Sequence, residues 1–156
     1  MVVPIAAVVL AASVAAPPSP TSVLDLRVVR APHDVVTVRE VLGSAPAVVA
    51  FWATYCPPCR QMMPVLDELH REWAPKGVSF VGVDSEDIPP EMLRDFLVEH
   101  PIPYPIVADD GTLGANYKVR ALPTLVVIGK DGTIRDSFVG YTMKSTLTRA
   151  LERAVQ

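Results

Sequence analysis

The stretch Ala47-Val48-Val49-Ala50-Phe51-Trp52-Ala53 contains no charged side chain, and after Thr54 and Tyr55 the chain reaches its only two cysteines, in Cys56-Pro57-Pro58-Cys59. A run that apolar offers no face to water, so as a strand it must be covered on both sides, as central strands of α/β sheets are. The cysteines that follow then stand where a buried strand turns into a helix. Two Cys three positions apart at a helix start share one face, close enough for the roughly 4.4–6.8 Å Cα separation of a disulfide. The first sulfur would sit at the helix N-terminus, where unpaired N–H groups favour a thiolate. The pair therefore reads as a redox-active dithiol. A structural zinc needs about four ligands, and the chain offers only His33, His70 and His100 besides, scattered and expected at the surface. An inert structural disulfide closing so short a loop would constrain the unfolded chain little.

The chain has 156 residues, half of them hydrophobic and a fifth charged, enough for one domain with a proper core and too few for two. A net charge of −3 gives no electrostatic footprint for nucleic acid, which is not expected as a partner. Neither a Gly-rich phosphate loop nor a Ser nucleophile elbow is present. Met62 and Met63 are adjacent on the expected helix and point in different directions, which suits core packing better than copper binding.

Residues 1–16 carry no charge, with Val8-Val9-Leu10-Ala11-Ala12 as an apolar centre and Ser13-Val14-Ala15 as a small-x-small cleavage site. This reads as an export signal or an N-terminal anchor. No Lys or Arg precedes Arg27, and the segment falls short of the roughly 17–25 apolar residues that span a bilayer, so cleavage, anchoring and a cytosolic chain all stay open. Residues 17–34, opening on Pro17-Pro18-Ser19-Pro20, are expected to form a linker and N-terminal extension, and 35–156 the folded domain.

Within that domain short apolar runs alternate with amphipathic stretches, the pattern of an α/β fold. Strands are expected at 35–38, 47–53, 78–83 and 104–107. A helix from Pro57 to about Trp73 should be kinked at Pro64 and stopped by Pro75-Lys76-Gly77. An inserted helix should run from Pro89 to His100, with Met92, Leu93, Phe96 and Leu97 inward, and a short one from Thr112 to Tyr117. Thr124–Ile128 and Thr133–Val139 around Gly129-Lys130-Asp131-Gly132 predict an antiparallel hairpin. A last helix is expected with Thr142 as its cap and Met143, Leu147, Ala150, Leu151 and Val155 inward.

Phe51-Trp52-Ala53-Thr54-Tyr55-Cys56-Pro57-Pro58-Cys59-Arg60, followed downstream by Ala121-Leu122-Pro123-Thr124 and by Gly129-Lys130-Asp131-Gly132, resembles the thioredoxin superfamily. The helical insert at about 84–103, the loop Asp84-Ser85-Glu86 and the N-terminal apolar segment are most similar to its exported TlpA/ResA/CcmG type. The resemblance covers about residues 35–155. It implies a thioredoxin fold, a central mixed sheet flanked by helices, with a C-terminal β-hairpin plus helix. It also implies Cys56 as the exposed nucleophile, Cys59 as the buried resolving thiol, and a cis peptide before Pro123 that presents the Leu122 backbone to a substrate strand. Tyr55, Pro57 and Pro58 would complete the substrate surface, with Trp52 either joining that wall or packed in the core. Thioredoxin carries a buried Asp where this chain has Ala50; the resemblance offers Glu86 instead, with Asp84 and Asp87 close enough for the register to slip.

The activity so implied is thiol:disulfide exchange outside the cytoplasm, reducing disulfides of exported clients such as apocytochrome c. It needs no dissociable cofactor. A membrane or extracytoplasmic dithiol donor would renew the enzyme, and a monomer is expected. A general disulfide oxidant and a redox-gated binding module are the other readings. Pro57 and Pro58 both lack an N–H with which to steady the Cys56 thiolate, which favours a reductant.

Overall fold

Strand β3, Ala47–Trp52, is buried along its whole length, as its composition demands. The computed structural model describes residues 27–30, 34–43 and 46–156. On one side β3 pairs in parallel with β4, Ser79–Asp84, and on the other it pairs antiparallel with β6, Thr124–Ile128. Two further strands in the amino-terminal part are β1, Arg27–Arg30, and β2, Asp34–Thr37, followed by the short helix α1, Val38–Leu42. With β5, Ile106–Ala108, and β7, Ile134–Val139, they complete a seven-stranded mixed sheet in the order β2-β1-β5-β4-β3-β6-β7.

Alternation along β3 divides the core. Val49 and Phe51 face a cluster with Val81, Val83, Val107, Leu113, Tyr117 and Val126. Val48 and Ala50 face the opposite layer, where α2, Pro57–Trp73, presents Met62, Leu66, Leu69 and Trp73, and α5, Lys144–Ala154, presents Leu147, Ala150 and Leu151. Each such large side chain contributes about 1.5–3 kcal/mol on burial. Between β4 and β5 lies α3, Pro90–Glu99, and between β5 and β6 lies α4, Thr112–Asn116. Helix α2 continues through Pro64, which lies on its exposed side, and closes through a 3₁₀ turn, Ala74–Lys76, onto Gly77 at φ +86°, the left-handed stop that glycine adopts without steric cost.

Several expectations are corrected. Arg27–Arg30 lies in the stretch read as linker and extension, yet it hydrogen-bonds to both β2 and β5, so the sheet takes it in. The segment 1–16 and its cleavage site, with residues 17–26 and His33, lie outside the described residues. Thr142 does not cap α5: its hydroxyl donates to the Gly140 carbonyl, its amide to the Met62 sulfur, and the cap position falls on Met143, which is exposed. Met92 is also exposed, because α3 turns Leu93 inward instead. His70 is not a surface residue: it is half-buried, with its ring against Phe80 and Tyr104.

Candidate active site

Helix α2 begins on the sulfur chemistry itself. Cys56 is extended at φ −93° and ψ 103° and occupies the N-cap, the place where a side chain accepts from the first-turn amides. Its Sγ accepts from the Cys59 amide at 3.2 Å while its carbonyl accepts from the Arg60 amide at 3.2 Å. Pro57 and Pro58 fill the two positions between, so Cys59 supplies the first amide proton the helix has. The two cysteines are joined as a disulfide with their Cα atoms 5.2 Å apart. Cys59 is 2% exposed and Cys56 only 6%, so the first sulfur is nearly covered rather than open; Cys56 nonetheless borders a surface cleft, whereas Cys59 faces an internal pocket with Ala50, Met62 and Pro123.

The loop ahead of Cys56 is fastened at Thr54. One carboxylate oxygen of Glu86 accepts from the Thr54 amide in a short contact, and the other accepts from its hydroxyl at 3.1 Å. From the other side Arg60 donates to the Thr54 carbonyl at 2.8 Å. Glu86 reaches this point because the Ser85 amide donates to the Trp52 carbonyl at 3.0 Å, extending the β3–β4 ladder by one bond past its register pair Trp52 and Asp84. The expected carboxylate is thus brought to the dithiol loop, and it acts on the backbone two residues before Cys56.

Asp84, read from the sequence as a loop acid and as an alternative to Glu86 by a slip of register, is instead the last residue of β4, 1% exposed, with Oδ1 lacking a hydrogen-bond partner. Burial first, and the Glu86 charge second, push its carboxyl up to about 7. A strand drawn one residue longer would have placed it on the face of Phe80 and Gly82. Thr54 and Arg60 are the other residues that sequence reasoning missed, since their part is played through backbone atoms.

The cleft beside Cys56 has a volume of about 770 Å³ and is walled by Tyr55, Pro57, Pro58, Ala121 and Leu122, with Val119 and Arg120 farther along. Tyr55 is 69% exposed. The peptide between Leu122 and Pro123 is cis, as the resemblance implied, and the Pro123 carbonyl accepts from the Gly140 amide at 2.8 Å. Trp52 does not join this wall: it is buried beneath α3, its ring 5.5 Å from that of Phe96. Its expected substrate contact gives way to packing, because the insert covers it. Among the described residues no three His, Cys, Asp or Glu side chains are grouped to hold a metal ion, and no helix is long and apolar enough to cross a membrane.

Residues 22–137 match the AhpC/TSA family. The chain belongs to that family. Within it the chain is similar to the thioredoxin-like protein YneN of Bacillus subtilis, 34% identical over 103 residues that make up 65% of this chain and 61% of YneN. It is also similar to the thiol-disulfide oxidoreductase ResA of Bacillus cereus, 31% identical over 104 residues, 66% of this chain and 60% of ResA. The chain thus spans about three-fifths of the length of these relatives. Among solved structures, dsbF of Mycobacterium tuberculosis, seen in mixed oxidised and reduced forms, superposes with a TM-score of 0.73 at 27% identity, covering 85% of this chain and 96% of that one. The fold is that of thioredoxin.

Proposed function

We propose that the chain is a thiol:disulfide oxidoreductase whose working group is the Cys56–Cys59 pair. The observation that carries this reading is the placement of Cys56: it caps α2, it is bonded to Cys59, and it borders a cleft that an extended segment of a protein substrate could enter. In the reduced state the Cys56 thiolate attacks one sulfur of a substrate disulfide, forming a mixed disulfide and expelling the other substrate sulfur as a thiolate that takes up a proton. Cys59 then loses its proton to Glu86 or to water and attacks the Cys56 sulfur. That step releases the second substrate thiolate and re-forms the Cys56–Cys59 bond, so two electrons pass to the substrate. Tyr55, Pro57, Pro58, Leu122 and Pro123 hold the substrate chain while Glu86 holds the loop.

The direction is reductive, because one of the two first-turn amides that the Cys56 cap could accept from, that of residue 58, is replaced by proline. The uncharged N-terminal segment supports work outside the cytoplasm on exported proteins, apocytochrome c among them, with a membrane or extracytoplasmic dithiol donor renewing the reduced state; the protein acts as a monomer and uses no dissociable cofactor. Replacing Cys59 by serine tests the core of this reading. The variant should accumulate mixed disulfides on Cys56 that mass spectrometry identifies, and the absence of any client adduct on Cys56 would overturn it.

A further inference from the structure

We infer that Asp84 is a positioning residue for the dithiol: buried without a partner two positions from Glu86, it keeps its proton, and losing that proton changes how Glu86 holds the Thr54 amide ahead of Cys56. The inference rests on the proposed exchange chemistry and goes beyond it, since Asp84 takes no part in the exchange steps themselves. Its starting point is confinement. Asp84 is tied into β4 by its register with Trp52 and Ala108, and its carbonyl accepts from the Asp109 amide at 2.9 Å, so its side chain cannot leave for water without unpairing the sheet. Yet Oδ1 has no partner, an expensive position for an ionised oxygen.

Among the described residues no buried cation relieves it. The loop that follows offers Glu86 and an exposed Asp87; α3 offers Glu91, Arg94 and Asp95, all exposed. From β3 comes Trp52, which carries no charge. The Asp109 carboxylate beyond β5 is spent on the Leu113 and Gly114 amides, at 2.9 and 2.8 Å. Helix α2 brings the two cysteines and Arg60, whose guanidinium is turned to the Thr54 carbonyl. Two carboxyls two positions apart, with no positive partner between them among the described residues, do not both ionise readily, and the buried one is the one that keeps its proton. The upward displacement of Asp84 by burial and by Glu86 agrees with this.

The consequence runs through Glu86. While Asp84 keeps its proton, Glu86 is free to carry the negative charge that the Thr54 amide and hydroxyl satisfy. Once Asp84 is ionised, repulsion acts on the carboxylate that fastens the loop, and Thr54 stands two residues before the nucleophile. The reactivity of Cys56 then registers the ionisation of a carboxyl that takes no part in the exchange.

The test follows the alkylation rate of Cys56 by iodoacetamide against pH, in the reduced protein and without any client. The wild type should show two inflections, one from the thiol and one near neutrality from Asp84. Asp84→Asn, which keeps the shape but cannot ionise, should leave the thiol inflection alone. Glu86→Gln, which spares the buried position, should also lose the second inflection, because no carboxylate is left for the Asp84 charge to repel, while the Asp84 carboxyl itself ionises at lower pH in infrared spectra. Infrared difference spectra of the oxidised wild type between pH 6 and 8 should show loss of a protonated carboxyl band that Asp84→Asn lacks, a readout available even where a variant folds poorly. Identical profiles in all three proteins, or no such band, would overturn the inference. A Cys56 that alkylates normally but captures no client would instead count against the proposed function and leave the inference intact.

Discussion

Replacing Pro58 by alanine adds one N–H to the first turn of α2 and changes little else, since a proline in the first turn gives up an amide that has no helical partner. The N-cap side chain accepts from the second or third amide of the helix; here the third, Cys59, already lies 3.2 Å from the Cys56 sulfur, and the second is missing. A restored second donor would form a hydrogen bond to an anion, of net value about 1.5–3 kcal/mol. Because the sulfur would divide itself between two donors, the lower figure applies. At about 1.36 kcal/mol per pKa unit, the Cys56 thiol of Pro58→Ala should ionise roughly one unit lower. Where Cys56 is ionised in both proteins, that stabilises the reduced form and raises the two-electron potential by about 30 mV. Thiolate absorbance against pH gives the first quantity, and equilibration with glutathione the second. Pro57→Ala serves as control, because the first amide of the helix is not one the cap reaches. A titration that is unchanged in Pro58→Ala, or moved equally by Pro57→Ala, would refute the reasoning that amide count at this cap governs the thiolate.

Two further outcomes follow from the layer around the dithiol. A Cβ built on Gly82 would lie 2.5 Å from Ile106 Cδ1 and 3.0 Å from Trp52 Nε1, so Gly82→Ala should lower stability by about 1–3 kcal/mol, and unchanged urea midpoints would refute the close approach. The buried Asp84 carboxyl, pushed up to about 7 from 3.8, holds in the folded protein a proton the unfolded chain gives up. Its contribution is therefore full below about pH 4 and is lost as pH rises through 7, with a steepest slope of about 1.4 kcal/mol per pH unit. Asp84→Asn should flatten that decline in denaturant titrations of the oxidised protein between pH 4.5 and 7.5; an equal decline in both proteins would place its cause elsewhere.

What could be read in advance was what the chain states locally. β3 declares itself by lacking any polar face, α2 by its prolines and the spacing of Met62, Leu66, Leu69 and Trp73, and the β6–β7 hairpin by its glycines. The Cys56–Cys59 geometry follows from three-residue spacing at a helix start. What could not be read depends on partners distant in sequence. Arg27–Arg30, two valines between arginines, has too little periodicity to announce a strand and becomes one by pairing with β2 and β5. Asp84 looks like a loop acid until the register with Trp52 buries it. Trp52 looks like a site wall until α3 lies over it. Thr142 has the composition of a helix cap, but α5 begins at Lys144 and leaves the cap position to Met143.

The double hold on Thr54 bears on how far this protein can be taken apart. The carboxylate that grips the Thr54 amide is delivered by the segment joining β4 to α3, and α3 itself roofs Trp52. Shortening that connection to the bare minimum would withdraw the grip and uncover an indole in one stroke, so the insert is no detachable ornament on a smaller fold. Transplanting Cys56-Pro57-Pro58-Cys59 into a scaffold without it would carry over the sulfurs and leave behind the part that steadies them.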